Sequence, residues 1–314
     1  MQQFKSIKLS LVLLILLLLG LSIVGTGCGP LAREAGQEPA ATQPQPQLKP
    51  APQRIISLAP GHTEILFALG LGDKVVGVTE VCDYPAEALQ KEKVGAFDKP
   101  NLERIISLNP DLVIANNLHE RLAADLNRTK INVLLVSPRN VTEILASVAT
   151  IGQATGTEAG ATVLINQINQ DIRAVMDKIN SLAPSAKPVV YYEVWHEPVM
   201  TVGPGTVMDD LINRAGGINL GADAGQEYPE YSAEVLIQKN PQVMIHSYAH
   251  GTVEAVDPAA ISKRKGWENL AFVKNSRIYQ VDPNLATRPG PRIAEGLKEF
   301  ARAIHPELFT EPVN

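Results

Sequence analysis

Residues 102–114 read LERIISLNPDLVI, and residues 233–245 read AEVLIQKNPQVMI. Each stretch places a glutamate, Glu103 or Glu234, seven residues before the proline of an Asn-Pro pair, and a short hydrophobic run follows. Proline ends a helix, so each copy predicts a short helix, a turn and a strand. A repeat of this kind predicts two lobes of related construction.

Short β-branched runs alternate with helical patterns on both sides of this repeat. RIISLA is followed by HTEILFALG near the start, and KPVVYYEV is followed by GTVMDDLINRAGG further along. This alternation is typical of α/β layering with mainly parallel strands. We therefore expect an N-terminal α/β lobe over residues 54–155 and a C-terminal α/β lobe over residues 185–308.

A long helical pattern separates the two lobes. Over residues 156–184 the apolar side chains recur every three or four residues, and no proline occurs before Pro184. This spacing predicts one amphipathic linking helix, which at 1.5 Å per residue would span about 35–40 Å. The expected fold is therefore two Rossmann-like lobes joined by one long, rigid α-helix, with little relative movement of the lobes.

The N-terminal segment carries an export pattern. Lys5 and Lys8 precede an apolar run, and small residues around Cys28 follow it. This order is typical of a signal peptide. The border around Cys28 also resembles the lipobox of bacterial lipoproteins, which implies a signal segment over residues 1–28, lipid attachment to Cys28 and an extracytoplasmic, lipid-anchored protein. An uncleaved membrane anchor is the alternative. Residues 29–53 are rich in proline and poor in large apolar side chains, so they predict a tether.

Charge and cysteine content exclude several classes of function. The formal net charge is −5, which argues against a nucleic-acid partner. Cys28 and Cys82 are the only cysteines, so thiolate-bound zinc or iron–sulfur sites are excluded. His246 and His250 are four residues apart but follow a predicted strand, so they share no helical face, and we expect no metal site.

No motif for nucleophilic or phosphate chemistry occurs in the sequence. It lacks a G-x-S-x-G elbow and a Walker loop, so we predict no enzyme. A metal-assisted hydrolase remains as an alternative, which would require the histidines to converge.

Aromatic residues cluster in the predicted C-terminal lobe. Several of them belong to strand ends or loops, among them Trp195 in VWHEP and Tyr228 in EYPEY. Aromatic side chains in a concave site bind apolar or flat ligands through a large contact area. We expect Trp195 and Tyr228 in a cleft between the lobes, with core packing as the alternative.

The repeated glutamates have two readings. Asn101 and Ser232 precede them as candidate N-caps, and an acidic residue in a first helical turn interacts well with the helix dipole. Two copies at matched places on two lobes, however, predict a fixed pair of docking points for basic residues of a partner.

Residues 54–308 resemble the substrate-binding lipoproteins of ABC importers that carry cobalamin, siderophores and haem between two lobes linked by one helix. The stretches RIISLAPGHTEILFALG, CDYP, NLERIISLNPDLVIA, YPEYSAEVLIQKNP and DPNLATRPGPRI carry this resemblance. It implies a class III periplasmic-binding-protein fold, no cofactor, and a monomer that delivers a ligand to an ABC permease. It also implies that Glu103 and Glu234 form salt bridges to the permease.

Within that family the resemblance is closest to members that bind cobalamin. It implies a corrinoid ligand in contact with Phe97, Tyr228, Asp282 and Arg288, with the stretch from Val194 to Met200 on the opposite wall. Trp195 and His196 belong to that stretch. A ferric siderophore or haem is the alternative ligand. It would need converging basic residues, for which Arg288 and Arg292 are the candidates.

Overall fold

The computed structural model describes residues 50–183, 187–247 and 258–309. The predicted signal segment, Cys28, the tether up to residue 49 and His250 lie outside the described residues. The described residues all belong to one compact unit. None of the helices in this part of the chain is long and apolar enough to span a membrane.

The N-terminal lobe is a five-stranded parallel sheet covered by helices. The strands run in the order β3-β2-β1-β4-β5, and every neighbouring pair is parallel. The elements are β1 (Ile55–Ser57), α1 (Pro60–Ala68), β2 (Val75–Val78), β3 (Glu92–Lys93), α2 (Leu102–Ser107), β4 (Leu112–Ala115), α3 (Glu120–Arg128), β5 (Asn132–Leu135) and α4 (Val141–Thr155).

The long helix α5 (Glu158–Asn180) follows α4 after a sharp turn at Gly156, whose φ of 70° suits glycine. Its first half contributes Ala161 to the core of the N-terminal lobe. From Ile168 onward, it contributes Ile168, Ile172, Val175 and Ile179 to the core of the C-terminal lobe. The helix is therefore packed into both lobes, and it does not bridge them as a free rod.

The C-terminal lobe contains a parallel sheet and a small antiparallel one. The parallel sheet has the order β12-β11-β6-β9, and the antiparallel sheet has the order β10-β8-β7. The elements are β6 (Val189–Glu193), β7 (Trp195–His196), β8 (Val199–Met200), α6 (Val207–Arg214), β9 (Ile218–Asn219), β10 (Glu230–Tyr231), α7 (Ala233–Lys239), β11 (Val243–His246), α8 (Pro258–Ser262), α9 (Ala271–Lys274), β12 (Ile278–Gln280), α10 (Pro283–Ala286) and α11 (Ile293–Ile304). The predicted α/β architecture, with mainly parallel sheets joined by one long helix, is confirmed.

The sequence repeat corresponds to α2 with β4 and to α7 with β11. The side chains of Asn101 and Ser232 accept hydrogen bonds from backbone N–H groups of the first helical turn, at 3.0 and 3.3 Å. Asn109 and Asn240, which precede the prolines, both adopt left-handed backbone conformations, with φ of 46° and 43°. Asparagine tolerates this region better than most residues. Each copy is thus capped at one end and turned sharply at the other.

A candidate ligand-binding cleft between the lobes

A cavity of about 510 Å³ lies where four strands of the N-terminal sheet end. Its walls are formed by residues 59–62 after β1, Val81 after β2, residues 116–118 after β4 and residues 136–139 after β5. The C-terminal lobe closes it with residues 287–289. In α/β sheets, ligands bind outside the carboxyl ends of the parallel strands, so the topology itself places the cleft here.

Phe97 lines this cavity and is held by a buried histidine. The ring of His119 meets the Phe97 ring edge to face, with 5.6 Å between the centroids. Nε2 of His119 donates a hydrogen bond of 2.6 Å to the Phe97 carbonyl, and its Nδ1 accepts one from the Asn116 N–H at 3.4 Å. His119 therefore fixes the position of the predicted ligand contact Phe97.

Arg288 also lines the cavity, but its charge is matched by a carboxylate. Its guanidinium donates two hydrogen bonds to Asp83 of the N-terminal lobe, one of them 3.1 Å from Nη2 to Oδ2. The hydrogen bond from Arg288 holds the pKa of Asp83 below its ordinary value. The predicted ligand residue Arg288 thus forms an ion pair between the lobes.

Arg292, the other candidate cation, is paired in the same way. It donates to Glu64 of α1 from Nε at 2.9 Å and from Nη2 at 2.6 Å. Its guanidinium carbon also lies 4.0 Å from the centroid of the Tyr84 ring. The basic residues proposed for an anionic siderophore therefore do not present free charge to the cleft.

A third arginine forms an ion pair between the lobes beside the cavity. Arg139, which follows β5, forms a salt bridge with Glu227 of the C-terminal lobe and donates from Nε to the Gly205 carbonyl at 3.0 Å. Among the described cavity-lining residues, the two arginines, Arg139 and Arg288, are thus each paired with a carboxylate of the opposite lobe.

Tyr228 and Trp195 are partly exposed on the C-terminal lobe, outside the described lining of the cavity. Tyr228 follows Glu227 directly and is 46% exposed, and the partial burial of its hydroxyl raises the pKa of that group. Trp195 on β7 is 38% exposed, donates from Nε1 to the Glu197 carbonyl at 2.9 Å and lies 5.4 Å from the His196 ring. Trp195 and His196 lie on a small antiparallel sheet that the sequence pattern did not predict, and Tyr228 lies in the loop before its strand β10.

Asp282 has a local role in the fold. Its side chain caps α10 by accepting a hydrogen bond from the Asn284 N–H at 2.8 Å, and its own N–H donates to Glu299 at 2.8 Å. It lies outside the described lining of the cavity. The capped helix α10 leads directly into Arg288, so Asp282 helps to position the segment that closes the cleft.

Glu103 and Glu234 are exposed in the first turns of α2 and α7. A hydrogen bond from Ser232 lowers the pKa of Glu234. The carboxylates are therefore available to a partner.

No group of three or more potential metal ligands occurs among the described residues. His246 is buried at the end of β11, and burial lowers its pKa.

The ion pairs that bridge the lobes were missed at the level of sequence. Asp83 and Arg288 are 205 residues apart, and Glu64 and Arg292 are 228 residues apart. Asp83 and the two arginines lie in the turn-rich stretches CDYP and TRPGPR, and Glu64 lies in the helical stretch HTEILFALG, none of which indicates a partner for the charge it carries. Ion pairs between residues three or four positions apart on one helix can be predicted from the sequence. Ion pairs between residues more than 200 positions apart can be identified only once the fold is known.

A model of the periplasmic binding protein family matches residues 55–285 of this chain. An ABC transporter substrate-binding lipoprotein of Bacillus subtilis is 37% identical over 270 residues, which cover 84% of this chain and 83% of that protein. The vitamin B12-binding protein of Vibrio cholerae is 30% identical over 260 residues, which cover 80% of this chain and 89% of that protein.

The fold is also similar to solved structures. A periplasmic haem-binding protein from Roseiflexus sp. RS-1, in its apo form, aligns with a TM-score of 0.72 and 27% identity, covering 82% of this chain and 99% of that one. The family match, the two relatives and the shared fold agree. The chain therefore belongs to the periplasmic binding protein family, which includes substrate-binding proteins of ABC transporters, and has the form with two α/β lobes joined by one long helix.

Proposed function

We propose that this protein is the extracytoplasmic solute-binding component of an ABC importer and that it binds a corrinoid in the cleft between its lobes. The observation that most supports a corrinoid ligand is the charge balance of the cavity. Arg139 and Arg288 are each neutralised by a carboxylate of the opposite lobe, so the described lining offers apolar surface and uncharged polar groups. A large ligand fringed with amides matches such a surface better than an anion does.

The ligand contacts follow from this placement. Phe97 packs against the ligand from the N-terminal lobe, while Tyr228, Trp195 and His196 extend the contact on the C-terminal lobe for a ligand larger than the cavity. Arg288 keeps its ion pair with Asp83 and donates to the ligand from its remaining N–H groups at the closing segment, and Asp282 acts through the position of that segment. The similarity to the vitamin B12-binding protein of Vibrio cholerae supports the same ligand class.

Delivery requires contact with a membrane permease. In this proposal Glu103 and Glu234 bind basic residues of the permease, and the protein acts as a monomer held to the cell membrane by lipid on Cys28. The exposure of both glutamates supports the first point. The similarity to the lipoprotein of Bacillus subtilis supports the anchor and the extracytoplasmic location.

Haem or a ferric siderophore is the second candidate. The similarity to the haem-binding protein of Roseiflexus favours it. The two arginines at the cavity also favour it, because an anionic ligand could replace Asp83 or Glu227 as their partner. In that case each arginine that pairs with the ligand would give up its ion pair, and the carboxylate of Asp83 or Glu227 would become solvated.

Calorimetric titration of the full-length protein in detergent distinguishes the candidates. Cyanocobalamin and dicyanocobinamide should each saturate one site, while haem and a ferric hydroxamate siderophore should bind much more weakly. Saturation by an iron complex together with no binding of either corrinoid would overturn the corrinoid assignment and support the second candidate.

A further inference from the structure

His62 is a buried polar residue on the wall of the cavity with no role in the fold described so far. It lies in the first turn of α1, directly after β1, and is only 2% exposed. It is one of the residues that line the cavity. In the sequence it is the first residue of the helical stretch HTEILFALG, and the pattern there predicts no role for it.

The Nδ1 atom of His62 has no hydrogen-bond partner among the described residues. Burial lowers the pKa of His62 to about 4, and the nearby His119 adds to this effect, while a hydrogen bond to the backbone of Val136 opposes it. The imidazole is therefore neutral near neutral pH. Because Nδ1 is unpaired, Nε2 is the nitrogen that carries the hydrogen toward Val136, and Nδ1 is left with a free lone pair.

A buried polar atom without a partner destabilises the folded protein, so a specific case calls for an explanation. A metal ion does not provide one here, since the described residues contain no cluster of ligands. A ligand in the cavity does. Nδ1 is covered in this conformation, so a ligand reaches it only after the ring rotates about χ2 and gives up its hydrogen bond to Val136. The χ2 torsion of histidine is broad, and the hydrogen bond to the ligand replaces the one that is lost.

We infer that His62 is a specificity-determining residue whose Nδ1 accepts a hydrogen bond from an amide N–H of the ligand, so that the cleft selects amide-bearing over carboxylate-bearing molecules. This inference rests on the proposed function, because it concerns the ligand of the same cleft. A carboxylate oxygen offers only lone pairs, which would face the lone pair of Nδ1.

The other charged and titratable groups around the cavity do not change this preference. Arg139 and Arg288 are paired with Glu227 and Asp83. His119 donates from Nε2 to the Phe97 carbonyl, which leaves it no hydrogen for the ligand at that nitrogen. Protonation of His62 would let it bind a carboxylate, but burial opposes the charged form.

The test compares two corrinoids that differ in whether amides or carboxylates surround the ring. Dicyanocobinamide carries amides around the ring, and dicyanocobyrinic acid carries carboxylates. Affinities of the full-length protein are measured for both with the wild type, His62→Leu and His62→Gln. Leu118→Ala is the control, because Leu118 lines the same cavity without a polar group. Thermal unfolding confirms that each variant is folded.

We expect His62→Leu to weaken cobinamide binding about tenfold and to leave binding of the acid nearly unchanged. His62→Gln should recover part of the loss, since its amide oxygen also accepts a hydrogen bond, and Leu118→Ala should change both affinities by the same factor. In the wild type, the ¹⁵N resonance of His62 Nδ1 should move when cobinamide binds.

Equal binding of cobinamide by the wild type and His62→Leu would overturn the inference, and so would an equal loss for both corrinoids. In either case the wild type still binds a corrinoid, so the proposed function survives. Failure of the wild type to bind any corrinoid would overturn the proposed function and this inference with it.

Discussion

Glu64 in α1 and Arg292 at the start of α11 form a bidentate ion pair across the two lobes, with nitrogen–oxygen distances of 2.9 and 2.6 Å. Glu64 is 3% exposed, and burial raises its pKa although Arg292 acts in the opposite direction. A buried carboxylate of this kind tolerates its charge only while the guanidinium is present. The pair therefore ties the N-terminal lobe to the last helix of the C-terminal lobe.

Arg292→Met should lower the free energy of unfolding by about 3–5 kcal/mol, because it leaves the Glu64 carboxylate buried without its partner. Chemical denaturation measures this change. Arg128→Met is the matched control, since Arg128 pairs with Asp125 on an exposed helical surface and should change stability by less than about 1 kcal/mol. The double variant Glu64→Gln/Arg292→Met should recover much of the loss. If Arg292→Met and Arg128→Met lowered the free energy of unfolding by similar amounts, the buried ion pair would contribute no more to stability than an exposed one.

The stability of the protein should fall between pH 6.5 and about 4 in a way that depends on His62. In this window the unfolded chain protonates His62, whereas the folded protein keeps it neutral. His62 thus contributes stability that is fully present above its ordinary pKa of 6.5 and is lost as the pH falls to about 4. The expected loss is about 3 kcal/mol.

Urea denaturation of the wild type and His62→Leu over this pH range measures the effect as a difference between the two proteins. Other titrating groups are common to both and cancel. A difference that stays constant with pH would show that His62 titrates normally in the folded state.

Gly61→Ala should destabilise the contact between the lobes. A Cβ atom at this position would lie 2.2 Å from the carbonyl oxygen of Pro289, which is backbone of the opposite lobe. Relief requires the lobes to shift, and overpacking of this kind costs about 1–3 kcal/mol. The same shift should weaken ligand binding, because Gly61 and Pro289 both line the cavity.

Gly160→Ala is the control for this substitution. Gly160 lies in α5, and the nearest atom to its added Cβ, in Leu69, is 3.8 Å away, an ordinary contact. Alanine is the better helix former, so stability should stay constant or rise by up to about 1 kcal/mol. Thermal melts and ligand titrations check both variants. Equal melting temperatures of Gly61→Ala and Gly160→Ala would show that the lobes accommodate a Cβ atom at residue 61 without loss of stability.

Charge reversal at the repeated glutamates should separate transport from binding. Glu103→Arg/Glu234→Arg should abolish uptake of labelled cyanocobalamin by the host cells, because the docking carboxylates would become repulsive to a basic partner. The affinity of the purified protein for the ligand should stay within about twofold, since neither residue lies in the described cavity lining. Glu158→Arg, another exposed glutamate in a first helical turn, is the control and should transport normally. Normal uptake by the double variant would place the docking surface elsewhere.

The elements of this fold with a local signal could be predicted from the sequence. The apolar stripe of α5 identified the linking helix because it depends on residues a few positions apart. The Glu and Asn-Pro pattern identified two lobes because each of its two copies, residues 102–114 and 233–245, is itself a local pattern. The N-caps Asn101 and Ser232 were predicted for the same reason, and the structure confirms both.

The contacts that join the lobes could not be predicted in this way. The pairing of Arg288 with Asp83 depends on the tertiary fold, so the resemblance implied Arg288 as a ligand contact and gave no sign of the ion pair that the structure shows. The sheet formed by β7, β8 and β10 was missed because each of its strands has only two residues, too few to show a period.

The packing of α5 has a consequence for how a transporter recognises a loaded carrier. Since one uninterrupted helix supplies side chains to both hydrophobic cores, large separation of the lobes would have to break that helix or strip it from one core. Empty and occupied forms should therefore present nearly the same outline to the membrane. The permease would then distinguish the two forms through small differences in the rates at which each one binds to it and dissociates from it.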